Sequence, residues 1–125
     1  MNEKELHREV CDYLKHGTED IIFNTDLSGI RLLPKVARDV KELRSSNAFP
    51  DIVIYEPRGD YSGLFIELKR EGTRIYKKDG QLVADPHIRE QAAMLEKLRE
   101  RGYAAEFAIG YNEAIQIIKE YLFYE

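Results

Sequence analysis

A single cysteine, Cys11, excludes an internal disulfide framework and a cysteine-rich zinc site. The longest apolar runs are a few residues, far short of a membrane span. The first residues, Met1-Asn-Glu-Lys-Glu-Leu6, hold no apolar segment of the kind that marks a secretory signal. No P-loop, dinucleotide-binding glycine pattern or nucleophile elbow is present, and neither is an internal repeat or low-complexity tract. The three histidines, His7, His16 and His87, are too scattered for a zinc site; only His87, one helical turn before Gln91, falls near the residues singled out below. What remains is a chain of 125 residues, 43% hydrophobic and 34% charged. It is expected to form one cytosolic domain around one hydrophobic core, with no membrane partner.

Acidic residues outnumber basic ones, for a net charge of -4, which argues against a nucleic-acid partner until the distribution is read. Residues 1–26 balance at -4, residues 27–78 at +4 and residues 79–125 at -4. A basic middle between acidic ends can bind phosphate locally. An ordinary solvated surface explains the same charges, so charge alone decides nothing.

Helical spacing of Leu6, Val10, Tyr13 and Leu14 predicts a helix from Glu3 to about His16, stopped by Gly17. Cys11, beside that face, is expected as a buried thiol. Ile21-Ile-Phe23 reads as a short strand and Asp26 to Gly29 as a turn. Pro34 opens a helical stretch to about Ser46, in which Lys35, Arg38, Lys41 and Arg44 form a basic row and Val36, Val40 and Leu43 an apolar one. Asp51 to Tyr55 and Leu64 to Arg70 are strands joined by a glycine- and proline-containing loop. Asp79-Gly80 predicts a two-residue hairpin turn between strand-like pieces, an exposed basic finger with Arg74, Lys77 and Lys78. A helix from Pro86 to about Arg101, a strand from Ala104 to Ile109 and a last helix capped by Asn112 complete the order. Tyr121, Phe123 and Tyr124 are either core closure or a dimer contact. Alternation of this kind implies an α/β fold, a mixed β-sheet flanked by helices.

Pro50-Asp51 and Glu67-Leu68-Lys69 carry the chemistry. In a strand alternate side chains share a face, so Glu67 and Lys69 project together, about 7 Å apart along the chain. If the strand beginning at Asp51 pairs with this one, two carboxylates and an ammonium meet at the edge of the sheet. Mg²⁺ takes oxygen ligands and keeps several waters, so one or two carboxylates plus a phosphate oxygen hold it. Such a metal polarises a phosphate and acidifies bound water, and a lysine beside it can stabilise the charge of the transition state. The competing reading is a proline at a strand entry followed by an exposed charged pair, and the motif alone leaves both open.

The order Phe49-Pro-Asp-Ile-Val-Ile, Leu64-Phe-Ile-Glu-Leu-Lys, Glu90-Gln91-Ala92 and Leu98-Arg-Glu-Arg-Gly-Tyr103 resembles the PD-(D/E)XK nuclease superfamily, and within it the VRR-NUC group. The resemblance implies a restriction-endonuclease-like fold and a DNA nuclease dependent on Mg²⁺ or Mn²⁺. It implies Asp51 and Glu67 as metal ligands, Lys69 as the catalytic lysine and Gln91 as their support. The group also places an acidic residue on its first helix, for which Glu3, Glu5 and Glu9 compete. Glu3 lies about 20° around the helix from Val10, whereas Glu5 and Glu9 fall about 140° and 100° away. Glu3 is therefore the expected third metal carboxylate. The segment Asp26 to Arg31 looks like that of longer phage-type members. Arg31, Lys35, Arg38, Lys77 and Lys78 are expected phosphate contacts, which position DNA without reading its sequence. The resemblance and the aromatic C-terminus suggest a homodimer working in replication, repair or recombination in a phage or bacterial host, with a helicase as a possible partner. The alternative is a catalytically silent module of the same fold that binds nucleic acid or another protein.

Overall fold

Asn2 starts the first helix by accepting the Glu5 N–H through its side chain at 2.8 Å, the capping role short polar residues fill. In the computed structural model, residues 1–26 and 31–123 are described. Helix α1 (Glu3–His16) buries Leu6, Val10 and Leu14 along one stripe, each worth about 1.5–3 kcal/mol for leaving water. It ends at Gly17, where a Cβ would come within 2.7 Å of the Tyr13 ring. Packing of that ring, not a left-handed backbone, favours glycine there.

Four strands, β1 (Phe23–Thr25), β2 (Ile52–Ile54), β3 (Leu64–Lys69) and β4 (Ala104–Ile109), form one sheet in the order β1-β2-β3-β4. The first three are antiparallel and β4 runs parallel to β3. A parallel pair needs a crossover, which helix α3 (Pro86–Glu100) supplies. Helices α1 and α4 (Tyr111–Leu122) cover one sheet face, closing over Ile52, Ile54, Ile66 and Leu68. On the other face Leu95 and Leu98 of α3 pack with Phe65, Ala105 and Phe107. The result is the α/β, mixed-sheet architecture the alternation implies.

Several boundaries differ from the sequence reading. The first strand begins at Phe23 instead of Ile21. Helix α2 (Pro34–Leu43) stops before Ser46 and fully buries none of its residues; of the apolar row that predicts it, Val36 and Leu43 are exposed and Val40 is half-buried. Asn112 does not cap α4; Gly110, with φ 85°, occupies that position. The expected hairpin of strands around Asp79-Gly80 is a single Tyr76–Leu82 bridge. Its turn spans three residues, because the Lys77 N–H donates to Gln81 O at 2.7 Å and Gly80 takes φ 87°, the bulged geometry that suits a glycine. Cys11 is half-buried, and burial raises its thiol pKa. Tyr121 closes the core and its hydroxyl donates to Glu56 O at 2.6 Å, while Phe123 is exposed. Tyr124 and residues 27–30, which include most of the expected Asp26–Gly29 turn and of the Asp26–Arg31 segment, lie outside the described residues.

Candidate active site

Register explains how the chain gathers its acidic motif. Ile52 pairs with Ile66, so one more step would set Asp51 opposite Glu67 and a second would set Pro50 opposite Leu68. Proline and the turning chain end the ladder there, and the Asp51 side chain accepts the Leu68 N–H instead, at 2.8 Å. On the opposite side the Asp51 carbonyl accepts from Asp26 N–H at 2.8 Å. Asp51 is thereby fixed between β1 and β3.

Leu68 is flanked by Glu67 and Lys69, whose side chains turn to the α3 face. Both are buried, at 5% and 6% exposure, so the charged pair does not lie on a solvated strand. Strand β3 is internal to the sheet, and the residues meet towards its C-terminal end. Gln91, also buried, donates from Nε2 to Glu67 Oε1 at 2.8 Å. His87 Nε2 lies 3.1 Å from the same nitrogen, one helical turn back on α3 and close to the site as its spacing suggests.

Burial dominates the electrostatics. It pushes the Glu67 carboxyl up to about 9, reinforced by the Asp51 charge and opposed by Lys69. Asp51 is also raised by burial, against the Leu68 hydrogen bond and His7, which lower it. A buried and a half-buried carboxylate this close cannot both ionise freely, so without a cation they hold a proton between them. The Glu3 charge is felt at both, although Glu3 itself stays exposed on the first turn of α1.

His7 is the residue the sequence reading passes over. It is half-buried, its charge acts on Asp51, and its Nε2 is buried without a hydrogen-bond partner. Its position four residues after Glu3 puts both on one helix face, the one sequence signal that could have found it.

Among the described residues, no group of three or more His, Cys, Asp and Glu side chains forms a ready-made metal cage. The donor set nonetheless fits a hard divalent cation, which takes two carboxylates and completes its shell with water and phosphate oxygens. Gln91 Oε1, buried and unpartnered, adds a free acceptor beside them. The five expected phosphate contacts, Arg31, Lys35, Arg38, Lys77 and Lys78, are all exposed; they sit outside this cluster, on α2, just before it, and on the turn after β3.

A sequence profile of the VRR-NUC domain matches residues 3–111. The chain belongs to the VRR-NUC family. A solved structure of a VRR-NUC domain protein is similar over 98% of this chain and 88% of the other, with a TM-score of 0.72 and 25% identity. No curated protein matches. The VRR-NUC domain is a nuclease-family domain, and its sequence match ends at the start of α4, leaving most of that helix to the structural likeness. No helix among the described residues is long and apolar enough to cross a membrane.

Proposed function

We propose that the protein hydrolyses DNA phosphodiester bonds with Mg²⁺ or Mn²⁺. The observation that carries this is the pairing of half-buried Asp51 with buried Glu67 beside buried Lys69, braced by Gln91. Burying charge is costly unless it is compensated. A divalent cation would compensate both carboxylates at once.

Asp51 and Glu67 would hold the metal, with Glu3 adding negative charge from α1. Bound there, the metal would supply charge neutralisation at the phosphate and acidify attacking water. The Asp51–Leu68 bond and the Gln91–Glu67 bond fix the direction of each carboxylate before substrate arrives. Lys69, on the same strand face as Glu67, orients the water and stabilises the extra negative charge of the transition state. His7 opposes the rise of the Asp51 pKa from its place on α1.

Arg31, Lys35, Arg38, Lys77 and Lys78 would anchor the phosphates on either side, making binding fall steeply with salt. A homodimer, in a phage or bacterial cytoplasm, would present two sites to the two strands of a branched substrate in replication, repair or recombination. A helicase is a compatible partner. The rival reading, a silent binding module, leaves the carboxylate pair without a use, since such a cluster repels DNA unless a cation sits in it.

End-labelled DNA incubated with Mg²⁺ or Mn²⁺, with and without EDTA, tests the reading. Cation-dependent cutting is the expected result. Cutting that persists in EDTA contradicts the metal, and DNA binding without cutting contradicts the nuclease.

A further inference from the structure

Immediately after Lys69 the chain leaves the sheet. Thr73 N–H donates to Arg70 O at 3.2 Å and Gly72 takes φ 85°, turning the backbone into the finger of residues 72–83. The finger is tightly held. Ile75 is buried at 3% exposure, and Val83 N–H donates to Ile75 O at 3.0 Å. Arg89 of α3 reaches across with Nε to Val83 O at 3.0 Å and Nη2 to Leu82 O at 3.3 Å. The helix that carries Gln91 therefore fixes the finger too.

Tyr76 stands on this finger, 56% exposed as a residue, among Arg74, Lys77 and Lys78. Its ring does not face bulk solvent alone. Between the finger and β4 lies a cleft of about 530 Å³, lined by the apolar or aromatic Tyr76, Phe107 and Ile109 and by the charged Arg74, Arg99, Glu106 and Glu113. Phe107 is the direct register partner of Glu67, and Ile109 that of Lys69. Parallel partners share a sheet face, and neighbouring strands lie about 4.8 Å apart. The apolar wall of the cleft is thus one strand away from the acidic pair, on the side opposite β2.

We propose that this cleft takes one unpaired base of a DNA strand, next to the phosphate held at Asp51, Glu67 and Lys69. Aromatic rings flanked by cations are the platform on which unstacked bases lie, and a volume of this size admits one. Arg74 would meet the strand's phosphates, while the carboxylates of Glu106 and Glu113 would accept from base amino or imino hydrogens. A base inside a continuous duplex cannot enter. This rests on the nuclease reading above and adds a base subsite to the same site.

Two readouts test it together. The first is the ratio of cleavage rates on a duplex with one unpaired nucleotide and on its fully paired counterpart, in Mg²⁺. The second is the fluorescence of 2-aminopurine placed at that nucleotide, read in the Lys69→Ala background on DNA shown to be uncut. Tyr76→Ala is expected to lower the ratio by roughly 5- to 100-fold, the range base–aromatic stacking gives, and to abolish the fluorescence change. Tyr76→Phe, which keeps the ring, should restore both. An unaltered ratio and unaltered fluorescence in Tyr76→Ala overturn the cleft, even if cutting is robust. A Tyr76-dependent fluorescence change in a protein that cuts nothing keeps the cleft and removes the nuclease.

Discussion

Asp51 accepts the Leu68 N–H at 2.8 Å through its side chain, so the residue proposed to bind metal also finishes the β3 hydrogen-bond ladder. The two roles separate by substitution. Asp51→Ala leaves a buried N–H unpaired, at a cost of about 1–3 kcal/mol, and removes a ligand charge. Asp51→Asn keeps an acceptor for Leu68 and loses only the charge. Both variants should weaken Mn²⁺ binding in calorimetry, while only Asp51→Ala should lose stability in urea. Unchanged Mn²⁺ isotherms in both would place the metal elsewhere.

Glu67 gives the stability a pH dependence of unusual sign. Its folded pKa, about 9, lies above its ordinary 4.5, so the folded protein holds this proton more tightly than the unfolded chain. The associated stability is full below pH 4.5 and is lost as pH rises towards 9. Thermal or urea unfolding in EDTA should show a decline of at most about 1.4 kcal/mol per pH unit from this group. Glu67→Gln should flatten it, and Mg²⁺ should oppose it in the wild type by replacing the proton. A pH-independent wild type would show that the carboxylates are not coupled as their burial requires.

Gln91 works through Glu67. Gln91→Leu fills much of the same volume but removes the 2.8 Å donor, freeing the carboxylate to turn. Loss of such a support typically costs 10- to 100-fold in metal affinity or activity. Steady-state cleavage against Mg²⁺ concentration should show that loss as a raised metal requirement, and an unchanged curve would make Gln91 a packing residue only.

The fold itself makes a simpler prediction. Ile66 is fully buried on the α1/α4 face of the internal strand. Ile66→Ala should destabilise by about 2–5 kcal/mol, read from the urea midpoint. A smaller loss would mean that this part of the core yields and fills the space.

Much of this arrangement is legible in the sequence because it rests on short-range periodicity. Alternation puts Glu67 and Lys69 on one face, and the Leu6, Val10, Leu14 stripe gives α1. Proline before Asp51 marks where β2 begins. What the sequence cannot show depends on pairing between distant segments. The burial of Glu67 follows from β3 being internal, which requires the parallel partner β4. The placement of Phe107 beside Glu67 depends on that same register, so the cleft at Tyr76 has no local signature. The apolar row of Val36, Val40 and Leu43 predicts the α2 helix correctly, yet periodicity says nothing about whether a face finds a partner, and α2 fully buries none of its residues. His7 is overlooked because a lone histidine carries no pattern until α1 is docked against Asp51.

The central claim is that Lys69, buried beside two carboxylates, takes part in cutting DNA. The most direct test is a labelled panel of duplex, flap, four-way junction and single-stranded DNA incubated with Mn²⁺, comparing wild type, wild type in EDTA and Lys69→Ala, with Mn²⁺ binding measured in parallel. Cutting by the wild type, lost in EDTA and in Lys69→Ala while the variant still binds Mn²⁺, is the expected result. Full activity in Lys69→Ala, or no cutting of any substrate by a folded, Mn²⁺-binding wild type, would contradict it.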